Sequence, residues 1–83
     1  LLWSGSKTSL VEVIYSLYLK GDINHGTVDL KTLIAAFEDF FNIKLDNYHK
    51  TYSEMRARKD PRSKYLHLIA AKLEAKMRQD DEK

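Results

Sequence analysis

Apolar residues recur at helical spacing in four segments of this 83-residue sequence, and that spacing limits what the chain can fold into. The second segment has the clearest pattern, with apolar residues three or four positions apart: Leu30, Leu33, Ile34, Phe37, Phe40 and Phe41. No apolar run approaches the roughly 20 residues that a membrane-spanning helix needs. The sequence contains no internal repeat. It therefore predicts one all-α domain of four helices.

Local signals give the ends of the first helix. Ser6 or Ser9 is the predicted start, and Ser9 with Glu12 fits the capping-box pattern. Lys20 is the predicted end, because Gly21 follows it and glycine readily takes the left-handed conformation that stops a helix.

The second helix has the most complete start signal. Asp29 is a good N-cap because its carboxylate can accept the free amide hydrogens of the first turn. Val28 and Leu33 stand on either side of it at hydrophobic-staple positions, and Asn42 is a plausible stop. In the turn before this helix, Ile23 and Val28 permit at most a minimal β bridge of two residues.

The third and fourth helices are predicted on either side of a proline. The third begins at a cap provided by Asp46 or Asn47 and ends near Lys59. Its predicted inner face consists of Tyr48, Tyr52 and Met55. Asp60 and Pro61 suit the start of the fourth helix, as cap and first-turn residue. The side chains of the fourth helix expected to point inward are Tyr65, Leu66, Ile69, Leu73 and Met77.

A helix, a short turn and a second helix with a polar outer face have the layout of a helix-turn-helix. The second helix of that motif enters the major groove of DNA, where its N-terminal residues reach base edges. The base-contact candidates are Asn47, His49, Lys50 and Ser53, because each can donate or accept a hydrogen bond there. The alternative is an antiparallel helical pair in a small bundle that binds nothing.

Positive charge is concentrated beside this predicted recognition helix. Residues 49–64 contain six Lys or Arg against two acids, whereas the whole chain has a net charge of only +2. The phosphate-contact candidates are Arg56, Arg58, Lys59, Arg62 and Lys64, together with Lys7 and Thr8 at the start of the first helix. These cations could instead be used in salt bridges to Glu12, Glu38, Asp39 or Glu54, which would make the patch structural.

Other functional classes find little support in the composition. The chain has no cysteine, which removes thiol catalysis and cysteine-based zinc sites. His25, His49 and His67 are far apart and lack the spacing of a metal pair. No arrangement of nucleophile and base indicates an enzyme, so we expect no cofactor, metal or small-molecule substrate. The five tyrosines are expected to pack in the core rather than to stack on bases.

Several motifs in this order resemble the C-terminal domain of the RteC family, regulators carried by Bacteroides conjugative transposons. The resemblance covers Trp3 to about Met77 and rests on residues 3–8 leading into 10–15, then on residues 41–45, 56–59 and 62–66. It implies a winged-helix-like DNA-binding domain that switches on excision genes, downstream of a tetracycline-responsive two-component system. One departure is that a winged helix needs a strand hairpin after the recognition helix, whereas here Asp60-Pro61 leads directly into another helix.

The sequence and the resemblance together predict a single DNA-binding domain over residues 1–83, from the C-terminal part of a longer bacterial cytoplasmic regulator. The expected partner is double-stranded DNA of a promoter region, with no membrane partner. The alternative is a non-catalytic protein-interaction or dimerisation module, which includes a homodimer. It is favoured by apolar residues on more than one side of the fourth helix, and by the apolar start Leu1, Leu2 and Trp3.

Overall fold

A computed structural model describes residues 1–82 of the chain. Its four helices are α1 (Lys7–Lys20), α2 (Leu30–Phe41), α3 (Tyr48–Arg56) and α4 (Lys64–Asp81), with a short 3-10 turn at Asn24–Gly26. About 68% of the structure is helical, and residues 1–82 contain no strand or bridge. The all-α prediction is confirmed. The minimal bridge between Ile23 and Val28 does not form, and a winged form is not confirmed.

Helix α1 lies at the centre of the domain. It contacts α2, α3 and α4, and its Leu10, Val11 and Ile14 are fully buried. The rest of the buried apolar core comes from the other elements: Leu33, Ile34, Leu45 and Met55. No Cα atom of α2 lies within 8 Å of a Cα atom of α3. Each of these helices packs on α1 rather than on the other, so the helix-turn-helix part of the prediction is not confirmed.

Caps define both ends of α1. The Ser6 hydroxyl accepts the amide hydrogen of Ser9 at 3.0 Å, so Ser6 is the N-cap. Gly21 ends the helix in the left-handed conformation, with φ of 79°. The alternative capping box of Ser9 with Glu12 is wrong, because Glu12 lies inside the helix and its carboxylate binds other elements.

Helix α2 begins and ends where its signals predicted. The Asp29 carboxylate accepts the amide hydrogen of Thr32 at 2.7 Å. Hydrogen bonding by the Thr32 side chain, and then by this amide, lowers the pKa of Asp29. Asn42 ends the helix with φ of 52°. Leu33 and Ile34 are buried as expected, whereas Phe40 is largely exposed and packs edge-on against its neighbour Phe41.

Helix α3 is shorter than predicted. Asn47 is its N-cap, although the side chain makes no capping hydrogen bond, and the helix ends at Arg56 rather than near Lys59. The amide of Arg58 donates to the Met55 carbonyl at 3.1 Å, which closes the last turn with a tighter, 3-10-type bond. The predicted inner face is confirmed, since Met55 is buried and the two tyrosines, Tyr48 and Tyr52, pack against the core.

A buried carboxylate joins three parts of the chain. Glu12 in α1 is 2% exposed, and its Oε1 accepts a hydrogen bond from Arg58 Nη1 at 2.9 Å. Its Oε2 accepts the backbone amide hydrogen of Leu66 at 2.8 Å. That amide belongs to the first turn of α4, where backbone donors lack partners within the helix. Glu12 therefore caps α4 from another helix while it neutralises Arg58.

This network explains why α4 starts later than predicted. Asp60 and Pro61 lie in the connection, and the helix begins at Lys64 with Ser63 as its N-cap. Arg58 Nη1 also donates to the Arg62 carbonyl at 2.8 Å, which fixes the connection just ahead of the first turn. The start predicted at Asp60 and Pro61 is therefore wrong.

The outer part of α4 does not pack on the domain. Tyr65 and Leu66 are half-buried, but every described residue after Leu66 is exposed. Ile69, Leu73 and Met77 were expected to point inward and are instead 42%, 58% and 47% exposed. Helical spacing correctly gave α4 an apolar face, but the rest of residues 1–82 does not cover it.

The N-terminal segment is pinned to the domain by its tryptophan. The Trp3 indole donates to the Ser6 carbonyl at 2.8 Å and packs edge-on against Phe41 and Tyr65, with ring centroids 5.3 and 6.0 Å away. Trp3 therefore links the starts of α1 and α4 to the end of α2. Leu1 and Leu2 remain exposed.

Candidate nucleic-acid interface

The rotation of α3 on the domain decides which of its side chains face solvent. Met55 and the two tyrosines hold one side of α3 against the core. As a result, the predicted base-contact residues are all exposed: Asn47, His49, Lys50 and Ser53. At 1.5 Å per residue the nine-residue helix is about 13 Å long, so it offers a short polar face rather than an extended one.

A groove beside the start of α3 brings together cations from three elements. It has a volume of about 280 Å³, and its lining includes Lys7 of α1, Lys44 of the connection and Lys50 of α3. We call this the lysine groove. Asn47 also lines it, as do the acids Asp46 and Glu54. One predicted phosphate contact, Lys7, and two predicted base contacts, Asn47 and Lys50, therefore line the same groove.

The sequence-based prediction missed Lys44. This residue lies between Ile43, which is half-buried, and Leu45, which is buried. The Leu45 amide also donates to Glu38 Oε2 at 2.6 Å, which fixes the connection onto α2. Lys44 is exposed beside these pinned neighbours. The apolar-charged-apolar pattern of residues 43–45 could have identified it. Glu38 is half-buried and has this structural role.

At the other end of α3, the predicted phosphate contacts do not behave alike. Arg56, Lys59, Arg62 and Lys64 are exposed. Arg62 reaches back over the end of α3, where its Nη1 donates to the Arg56 carbonyl at 3.4 Å. Arg58 differs, because its charge is neutralised by the buried Glu12. We therefore leave Arg58 out of the proposed contacts and assign it to the packing of α4.

Lys7 and Thr8 lie in the first turn of α1, where Lys7 is exposed and Thr8 is half-buried. Of these two, only Lys7 lines the lysine groove. Contact of Thr8 with a phosphate therefore stays a prediction from the sequence, because Thr8 does not line the groove that contains the lysines.

A second groove lies between α1 and the end of α3. Its volume is about 400 Å³, and the rings of Tyr15 and Tyr52 lie in its wall, stacked on each other with centroids 4.3 Å apart. Burial raises the pKa of Tyr15, and the nearby Tyr48 and Tyr52 add to that rise. These rings are thus used in internal packing, as predicted. Tyr18 is the exception among the tyrosines, since it is 38% exposed.

Residues 1–82 offer neither a metal site nor a membrane-spanning helix. Within that range no cluster of three or more His, Asp or Glu side chains could hold a metal ion. The His67 ring nitrogen Nδ1 lies 2.7 Å from the Ser63 carbonyl oxygen, at the start of α4. None of the described helices has the length and apolarity needed to cross a membrane.

Comparisons with known proteins give one family. Its sequence profile, described as RteC protein, matches residues 1–81, which is nearly the whole chain. Searches of curated proteins and of solved structures return no match. The profile match agrees with the motif resemblance, which runs from Trp3 to about Met77. The chain therefore belongs to the RteC family.

Proposed function

We propose that this chain binds double-stranded DNA, with the exposed face of α3 against base edges and the surrounding cations against phosphates. Membership in the RteC family suggests a regulator of conjugative transposon excision. Site-specific binding at a promoter is the molecular activity that we propose for this regulation. The proposed biological role is the one that the resemblance implies, namely activation of excision genes in the bacterial cytoplasm in response to tetracycline.

One observation carries the proposal. The same packing that buries Met55 leaves a polar face on α3 with exposed cations at both of its ends. At one end lie Lys7 and Lys44, and at the other lie Arg56 and Arg62. Phosphates line both edges of the major groove, so cations at both ends of a short polar helix could reach phosphates while its polar face meets base edges.

The two sets of residues have different proposed roles. The phosphate contacts are Lys7, Lys44, Arg56, Lys59, Arg62 and Lys64, which set affinity and register. The base contacts are Asn47, His49, Lys50 and Ser53, of which a lysine is suited to guanine O6 and N7. We also propose that the chain acts without catalysis. In support of this, the buried carboxylate of Glu12 has a structural role, because it pairs with Arg58 and with the Leu66 amide.

The test is the salt dependence of binding to the DNA upstream of the gene that encodes the chain. Each phosphate contact contributes about 0.9 to the slope of log affinity against log salt concentration. The variants Lys44→Ala and Arg56→Ala should each weaken binding to every sequence and reduce that slope by about 0.9. Lys50→Ala should instead change the preference among sequences.

Lys31→Ala is the matched control, because it removes the same charge from an exposed position of α2. It should leave both the affinity and the slope close to those of the original chain. The proposal fails if the chain shows no salt-dependent binding. It also fails if Lys31→Ala weakens binding as much as Lys44→Ala does.

A further inference from the structure

The exposed apolar row on α4 is not covered by the rest of residues 1–82. Ile69, Leu73 and Met77 are four residues apart, so they form one row along the helix, which we call the α4 stripe. All three side chains are about half exposed. From residue 67 to residue 81 the helix makes little contact with the domain. Isolated helices of this length are marginal in water, so packing of the apolar side is expected to stabilise this one.

We infer that the α4 stripe pairs with the α4 stripe of a second copy of this chain, with the two helices antiparallel. The stripe is centred on Leu73, with one apolar residue four positions before it and one four positions after it. Reversing the direction of the helix therefore gives the same pattern. A surface of this kind can meet itself across a two-fold axis, as an isologous interface requires.

Charge along α4 favours the antiparallel arrangement. Residues 64–73 contain Lys64 and Lys72 and no acid, whereas residues 74–82 contain four acids, Glu74, Asp80, Asp81 and Glu82, against the two cations Lys76 and Arg78. Antiparallel pairing places the basic start of one helix beside the acidic end of the other. Parallel pairing would instead place like charges together at both ends, which is unfavourable.

The contact area limits the strength of this pairing. Three side chains on each copy make an interface smaller than the 1,200–2,000 Å² or so of a standard stable complex. The dimer is therefore expected to dissociate on dilution. Since no residue of the stripe belongs to the proposed DNA contacts, the pairing can be tested without DNA, and its failure leaves the DNA proposal unaffected.

Cysteine crosslinking tests both the surface and the direction. The chain contains no cysteine of its own, so single substitutions report cleanly. An oxidised mixture of Ile69→Cys and Met77→Cys should form a mixed disulfide dimer, because position 69 faces position 77 of the other copy. Neither variant alone should crosslink well. Ala71→Cys, on the opposite side of the helix, is the matched control and should remain uncrosslinked.

Three crosslinking results would overturn the inference. Efficient crosslinking of Met77→Cys alone would show parallel helices. Equal crosslinking of Ala71→Cys would show random collision. Absence of the mixed 69–77 product would exclude the antiparallel pair. That result is also expected if a different protein, rather than a second copy, covers the stripe.

Sedimentation of the full chain gives an independent readout. The original chain should shift from monomer to dimer as its concentration rises, and Leu73→Asp should raise the dissociation constant at least about tenfold. Ala71→Asp introduces the same charge on the other side and should dimerise like the original chain. Since Leu73 is 58% exposed and lies outside the buried core, its substitution should leave the packing of α2 and α3 on α1 intact. A chain that stays monomeric up to millimolar concentration would contradict the inference.

Discussion

Replacement of Glu12 by alanine should destabilise the domain more than any surface substitution. The carboxylate neutralises Arg58 and caps the first turn of α4 at the Leu66 amide, at 2.9 and 2.8 Å. Removing one partner of a buried ion pair costs about 3–5 kcal/mol. The Arg58 side chain keeps 23% of its surface exposed, so water solvates part of the orphaned charge. We therefore expect a loss at the lower end, about 3 kcal/mol.

That loss is large for a domain of this size. At about 0.05–0.15 kcal/mol per residue, the total free energy of unfolding of such a chain is roughly 4–12 kcal/mol. A loss of about 3 kcal/mol should lower Tm by about 12–24 °C. Glu12→Gln keeps an acceptor for the Leu66 amide but loses the charge opposite Arg58. It should therefore cost about half as much.

Denaturant titration followed by tryptophan fluorescence measures these effects. Trp3, the only tryptophan in the chain, packs between Phe41 and Tyr65, so its emission reports on the docking of α4. Glu54→Ala removes an exposed carboxylate from α3 and is the control, with an expected change within about 0.5 kcal/mol.

A double-mutant cycle separates the ion pair from the cap. Glu12→Ala and Arg58→Ala remove the same contact, so the double variant should be more stable than the sum of the two losses predicts, by about 1–3 kcal/mol. If Glu12→Ala costs no more than Glu54→Ala, or if the two losses simply add, the bridging role of Glu12 is refuted.

Two further predictions concern the start of α2 and the turn before it. The pKa of Asp29 is lowered from its ordinary value of 3.8, so ionised Asp29 stabilises the fold at every pH above about 3.8. That stability is lost as the pH falls through the lower, folded-state pKa. Asp29→Asn keeps a good cap that does not titrate, so acid denaturation curves should show it losing less stability than the original chain between neutral pH and pH 3 or so. Equal acid sensitivity would contradict this. Gly26 has φ of 78°, and a Cβ there would lie 3.3 Å from the Gly21 carbonyl oxygen. Gly26→Ala should therefore cost about 1–2 kcal/mol in a thermal melt, and an unchanged Tm would contradict that expectation.

Local signals predicted α2 and the end of α1 well. Asp29, Asn42 and Gly21 act on backbone groups within three or four residues, so a short window of sequence contains all the information that they use. The inner face of α3 was equally predictable, because one side of that helix is apolar and the other is polar.

Long-range contacts were beyond such signals. Glu12 meets Arg58 and Leu66 from 46 and 54 residues away. A short window of sequence around Glu12 does not contain these partners, and the spacing of Ser9 and Glu12 suggested a capping box instead. The same network stops α3 early and delays the start of α4, which accounts for both boundary errors around Asp60 and Pro61.

The exposed α4 stripe shows a different limit. Periodicity identifies an apolar face but does not say what covers it, and the inward packing expected for Leu73 assumed a partner within the same domain. Lys44 was missed for a related reason. Lys44 points outward because its two neighbours, Ile43 and Leu45, pack inward. The sequence indicated the inward packing of these neighbours but gave no role to the lysine between them.

The most direct test of DNA binding through α3 is an NMR titration of the isotopically labelled chain with its upstream DNA. We predict that the largest amide shifts fall on His49, Lys50 and Ser53, with smaller shifts at Lys7 and at the connection before α3. The exposed face of α2 should show no change. Shifts confined to α2 or to the outer part of α4, with α3 unchanged at saturating DNA, would contradict the account.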